Sequence, residues 1–149
     1  HRGGARLLSR PHRAHPPVVP LMTGTPPATA SAVATRVCAL ADLTPELGVA
    51  ALVDGEQVAI FLLADGSLHC VQNLDPFSGA YVMSRGITGS RGDAPTIASP
   101  IYKQVFSLVD GTCLVTMDKE PKAGLSPDLV VNGAHIEGDD VVVELRCGR

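Results

Sequence analysis

The chain has 149 residues, which fits one domain with or without a tail. Hydrophobic residues make up 45% of it and charged residues 18%, so the composition excludes wholesale disorder. It contains two tyrosines, three phenylalanines and no tryptophan, which disfavours a nucleic-acid module that stacks bases on aromatic side chains.

Residues 1–36 differ from the rest of the chain in charge and composition. They hold five arginines, no acidic residue and six of the twelve prolines, without apolar periodicity. Such a segment buries too little apolar surface to offset chain entropy, so we predict a disordered tail. An arginine-rich, acid-free start is also typical of a transit peptide, although prolines break an amphipathic helix. We favour a native start at or near Met22, with the preceding residues derived from upstream translation.

Residues 37–149 carry 7 basic and 15 acidic residues, a net charge of −8. An acidic surface disfavours DNA, RNA and anionic membranes as partners. The chain has no run of about 18 apolar residues, so we predict no membrane span. These 113 residues are enough to bury a single core, and we predict one domain here.

Short, β-branched apolar runs separated by turn signals fill most of this domain. Asp-Gly occurs three times between such runs, and this dipeptide favours a β-hairpin because both residues tolerate positive φ. Residues 44–47 have room for one helical turn, and Asn132-Gly133 is predicted as a turn. The pattern predicts an all-β domain, an antiparallel sandwich or small barrel. The predicted strands are 37–40, 49–53, 57–63, 67–73, 104–109, 112–116, 129–131 and 141–145.

Residues 74–103 are not strand-like. They contain Asp-Pro, Ser-Arg-Gly, Arg-Gly-Asp and Ser-Pro, all of which are turn signals. We therefore predict two long loops between hairpins, which is where functional residues concentrate.

Cysteine and histidine spacing argues against a metal site in this domain. No Cys-x-x-Cys, Cys-x-His or Cys-x-x-His pair is present, and the neighbours His69 and Cys70 would point to opposite faces of a strand. We predict buried or incidental thiols, and scattered single thiols without an export signal indicate a reducing cytoplasm. No nucleophile elbow and no phosphate-binding glycine motif is found, so we predict no catalytic residue in this chain.

Three short strings nevertheless lie in order across the loops. Residues 73–77 read Asn-Leu-Asp-Pro-Phe, residues 84–86 read Ser-Arg-Gly, and residues 99–106 read Ser-Pro-Ile-Tyr-Lys-Gln-Val-Phe. The first and third resemble the cluster-binding loops of Rieske-type ferredoxin domains, which read Cys-Pro-His and Cys-Pro-x-His-Gly followed by Phe. With the flanking hairpins, all three resemble the small subunits of assimilatory NAD(P)H-dependent nitrite reductases, a Rieske-like branch that lacks the ligands. The resemblance covers residues 36–146 and implies a Rieske-like fold.

The resemblance implies that every cluster ligand is replaced. Asp75 and Ser99 stand at the cysteine positions, and Phe77 and Tyr102 stand at the histidine positions. A Rieske cluster needs two thiolates and two imidazoles, so we expect no cluster and no metal in this chain. We expect Phe77 and Tyr102 to fill the space and to hold the two loops together through apolar contact. A pocket that is merely repacked is the alternative.

The resemblance also implies a partner. That partner is a large subunit with FAD, an iron–sulfur cluster and sirohaem, which uses NAD(P)H to reduce nitrite to ammonia. This chain would dock on the large subunit and support it. By analogy with the loop tips of Rieske domains, the expected interface residues are Pro76, Ser84, Arg85, Pro100, Lys103 and Gln104. The alternatives are a Rieske-type ferredoxin with unusual ligands and a non-redox binding module.

Overall fold

The computed structural model describes residues 4–8 and 34–146. These residues form strands and turns, with two single turns of 3₁₀ helix at Leu40–Asp42 and Met83–Arg85. No helix among them is long and apolar enough to cross a membrane. The strands are β1 (Ala5–Leu7), β2 (Ala34–Ala39), β3 (Val49–Val53), β4 (Glu56–Leu62), β5 (Leu68–Gln72), β6 (Ile87–Arg91), β7 (Ala94–Ala98), β8 (Val105–Ser107), β9 (Cys113–Val115), β10 (Val131–Glu137) and β11 (Asp140–Glu144).

The strands form two antiparallel sheets, which confirms the predicted all-β class. Seven strands pair in the order β1-β3-β4-β5-β10-β11-β2, and the end strands β1 and β2 also contact each other, so this sheet curls into a nearly closed barrel. The other four strands pair in the order β6-β7-β8-β9. The first long loop follows β5 of the barrel, and the second follows β7 of the four-stranded sheet.

Strand β4 is buried on both faces and thereby divides the core. Its alternate residues Val58 and Ile60 point into the barrel, where they pack with β3, β5 and β11. Ala59 and Phe61 point the other way, into a second apolar cluster beneath the four-stranded sheet. This second cluster contains Phe77, so the first long loop is anchored in the core of the domain.

Hairpin turns are where the sequence was most informative. Asp54 and Gly55 both have positive φ and join β3 to β4, and the turn at Asp65-Gly66 joins β4 to β5. Asp110-Gly111 lies in the predicted turn between β8 and β9. The Asp-Gly dipeptides therefore marked three real reversals of the chain.

Four expectations about local structure are wrong. The predicted tail is not disordered throughout, because Ala5–Leu7 pairs with β3 and the end of the tail lies in β2. Residues 1–3 and 9–33, with Met22, lie outside the described part.

The segment 74–103 contains the hairpin β6–β7, with Arg91-Gly92-Asp93 at its turn. Asn132-Gly133 lies inside β10 rather than in a turn. Residues 44–47 form a turn in which Glu46 has φ 72°, not a helical turn.

Replacing Gly111 by alanine is expected to destabilise the domain by about 2 kcal/mol. Gly111 has φ 82°, and a β-carbon there would collide with the backbone carbonyl of Leu129. Gly92 is the matched control, since its φ is 63° and a β-carbon would meet no atom within 4 Å. Thermal unfolding measures both variants. Equal losses for Gly111→Ala and Gly92→Ala would show that the collision contributes nothing.

Candidate functional site

The first loop, residues 73–86, is organised by the side chain of Asp75. Its Oδ1 accepts a hydrogen bond from the backbone N–H of Phe77 at 2.9 Å, and its Oδ2 accepts one from the hydroxyl of Ser78 at 2.9 Å. The Asp75 carbonyl accepts from the N–H of Gly79 at 2.8 Å. A short carboxylate after a strand thus closes a turn on its own backbone, which is the usual reason for Asp at such a position.

The second loop, residues 99–104, is tied to the first through Ser99. The Ser99 hydroxyl donates to Oδ2 of Asp75 at 2.7 Å, across 24 residues of sequence. The same hydroxyl accepts from the N–H of Ile101 at 3.1 Å. Asp75 and Ser99 are both fully buried, so this hydrogen bond is made away from water and joins the two loops directly.

Phe77 lies beneath the two loops. Its side chain is 3% exposed, and its ring centre is 6.1 Å from that of Phe106 at an interplanar angle of 54°. Tilted aromatic pairs at this distance are favourable beyond their buried area. Phe106 lies in β8, the strand that follows the second loop. The ring pair therefore forms an apolar connection between the loops, in addition to the Asp75–Ser99 hydrogen bond.

Tyr102 does not join this group, so the expectation that it fills the space with Phe77 is wrong. Its side chain is 41% exposed, and Nζ of Lys119 lies 4.5 Å from the centre of its ring. Phe106 makes the apolar contact expected of Tyr102. Three of the four replaced-ligand positions therefore converge in the interior, and the fourth faces outward into a cation–π contact.

The side chains at these positions do not fit a [2Fe-2S] cluster. Phe77 has no atom that could ligate a metal, the Ser99 hydroxyl already donates a hydrogen bond to Oδ2 of Asp75 at 2.7 Å, and Tyr102 is exposed at the surface. The described residues contain no group of three or more metal-ligating side chains. Burial raises the pKa of the Cys113 thiol, with the Asp128 and Asp75 carboxylates adding to it, and burial raises the pKa of Cys38 to about 12. Both thiols are therefore protonated at neutral pH.

A third stretch completes the site and was missed by the sequence reasoning. Residues 116–122, which we call the crossing segment, run from one loop to the other. At one end the carbonyl of Thr116 accepts from Nε2 of Gln104 at 3.2 Å. At the other end the N–H of Lys122 donates to the carbonyl of Pro76 at 2.8 Å. Its sequence lacks any apolar pattern, and the one available signal was that it holds two of the three lysines of the chain.

The six expected interface residues divide by burial. Arg85 and Lys103 are exposed, and Pro100 is half-buried. Pro76, Ser84 and Gln104 are buried. Their side chains are therefore not at the surface, and the expectation that these three residues contact a partner directly is wrong. They hold the loops instead: the N–H of Ser84 donates to Oδ1 of Asn73 at 2.8 Å, while Pro76 and Gln104 receive the two ends of the crossing segment.

Comparison with known proteins places these features in a family context. The family model for the Rieske-like [2Fe-2S] domain matches residues 34–143. A nitrite reductase (NADH) small subunit from Salmonella typhimurium is 42% identical over 80 residues, which are 53% of this chain and 74% of that protein. A solved structure from Mycobacterium tuberculosis, described as an NADH-dependent nitrite reductase small subunit, is 44% identical. It superimposes with a TM-score of 0.66 over 79% of this chain and 98% of its own.

One further relative is a much longer protein. The nitrite reductase [NAD(P)H] large subunit of Klebsiella oxytoca is 34% identical over 99 residues, which are 66% of this chain and 10% of that protein. In that protein a stretch similar to this chain is thus part of the large-subunit polypeptide itself.

Proposed function

Because the chain belongs to the Rieske-like [2Fe-2S] domain family and, within it, to the nitrite reductase small subunits, we propose that it is the small subunit of an NAD(P)H-dependent nitrite reductase. In this proposal the chain docks on a large catalytic subunit and supports it. The large subunit reduces nitrite to ammonia in nitrate assimilation. FAD, an iron–sulfur cluster, sirohaem and the NAD(P)H site belong to the large subunit. The similarity to known small subunits over most of their length carries the proposal.

The interior of the site supports a non-redox role for this chain. A buried hydrogen bond and a ring pair connect the loops where a Rieske domain has its cluster, and neither can accept an electron. Holding two loops and a crossing segment in one fixed arrangement is what a docking surface requires. The chain therefore contributes shape and contacts, while the oxidoreductase chemistry belongs to its partner.

The Klebsiella oxytoca relative supports the choice of partner. In that protein a stretch similar to this chain is covalently joined to the rest of a large subunit, which favours a large subunit as the partner of the separate chain. We place the complex in the cytoplasm, in agreement with the free thiols of Cys38 and Cys113 among the described residues.

Co-expression of the tagged chain with the large subunit tests this function. We expect both chains to elute together as a flavin- and sirohaem-containing complex, and the tag alone is the control. Deletion of the gene for this chain is expected to impair growth on nitrite as nitrogen source. Failure of the two chains to co-purify, together with normal growth of the deletion strain, would contradict the proposal.

A further inference from the structure

All three lysines of the chain lie at the loop end of the domain. Lys103 belongs to the second loop, and its Nζ donates to the carbonyl of Pro100 at 3.2 Å. Lys119 stands over the ring of Tyr102. The methylene groups of Lys122 pass the first loop, where a β-carbon on Gly79 would lie 3.6 Å from them. Two segments, the second loop and the crossing segment, thus bring every lysine to one end of an acidic domain.

These lysines are not neutralised by the domain itself. Among the described residues, the Arg36–Asp140 ion pair and the His135–Glu137 contact both lie on barrel strands, and no described carboxylate lies within 4 Å of a lysine ammonium. Asp118 and Glu120 lie beside Lys119 in sequence, but they are exposed and unpaired with it. The ammonium groups are therefore available to carboxylates of another molecule.

Large apolar side chains are exposed between the lysines. They are Ile101 and Tyr102 of the second loop and Met117 of the crossing segment. Lys119 contacts the Tyr102 ring through a cation–π interaction, so an exposed aromatic ring and a positive charge lie side by side on this surface. An aromatic residue within an apolar centre and a polar rim is the usual composition of a protein interface.

We propose that this surface, the lysine face (Ile101–Lys103, Met117, Lys119 and Lys122), binds a region of the large subunit that presents carboxylates around an apolar hollow for Tyr102. The inference rests on the proposed function and names the surface that performs it. Nucleic acid fits less well, because the net charge of −8 over residues 37–149 repels a long polyanion. A protein surface of limited size can contact the three lysines and the apolar centre without approaching the acidic rest of the domain.

A pair of charge-reversal variants tests the lysine face. The test variant is Lys103→Glu/Lys119→Glu, and the control is Arg91→Glu/Arg146→Glu. The control makes the same change in net charge at exposed positions, one at the far end of the β6–β7 hairpin and one after β11. Affinity for the holo large subunit is measured at low and at moderate salt, after thermal unfolding confirms that each variant is folded.

The lysine variant is expected to bind at least about tenfold more weakly than wild type at low salt. Its affinity should also lose most of the salt dependence of the wild-type complex. The control is expected to stay within about twofold of wild type, as for charges outside an interface. Equal affinity of the two variants, with normal binding by wild type, would overturn the lysine face and leave the proposed function standing. Absence of binding by wild type would overturn both.

Discussion

Phe77→Ala is expected to lower the free energy of unfolding by about 3–5 kcal/mol. The ring is 3% exposed and belongs to the apolar cluster between the barrel and the four-stranded sheet, so its removal leaves a cavity beneath both loops. It also removes the ring contact with Phe106. Chemical denaturation with an unchanged m-value measures the loss directly.

Tyr102→Ala is the matched control for Phe77→Ala. Both residues stand where the resemblance implies a histidine ligand, but Tyr102 is 41% exposed and contacts Lys119 at the surface. Its loss should cost less than about 1 kcal/mol of stability. Similar destabilisation by the two variants would mean that the two rings are equivalent, which would contradict the outward position of Tyr102.

Asp75→Ala is expected to cost at least about 3 kcal/mol and to disorder the first loop. The substitution removes the acceptor for three donors: the Phe77 N–H, the Ser78 hydroxyl and the Ser99 hydroxyl. Buried donors without an acceptor incur their full desolvation cost. Thermal unfolding measures the loss of stability, and amide hydrogen exchange over residues 73–86 measures the opening of the loop.

A double-mutant cycle isolates the connection between the loops. Asp75→Ala and Ser99→Ala are combined, and their coupling is expected to be about 1–3 kcal/mol because the two side chains share one buried hydrogen bond. Asp75→Asn is the conservative control, since its side-chain oxygen still accepts from the Phe77 N–H. Additive losses in the cycle would show that the two loops are held by other contacts.

The elements that the sequence predicted well are those specified by local chemistry. Asp54-Gly55 tolerates the positive φ that a tight reversal needs, and β3 follows from its continuous apolar run. The β6–β7 hairpin was missed because its residues are mostly small or polar, with Pro95 inside β7. These residues become part of a sheet because β7 pairs with β8. That pairing depends on residues outside the hairpin, which local sequence patterns do not report.

The site shows the same division. Sequence resemblance brought Asp75 and Ser99 together, because each lies at a fixed place relative to a hairpin. The outward position of Tyr102 was not predictable from the second loop alone, since its ring contacts Lys119 of the crossing segment, whose placement the sequence did not predict. Asn132-Gly133, a strong turn signal, is overridden by pairing of β10 with both β5 and β11.

The central claim is that protein contacts, in place of a metal cluster, hold the two loops of a docking subunit. The iron and sulfide content of the chain, expressed alone with iron and sulfide in supply and read together with its visible absorption spectrum, tests this claim most directly. We expect a colourless, folded protein without bound iron. A brown protein with about two irons and two sulfides per chain would contradict the claim and identify an electron-transfer ferredoxin with unusual ligands.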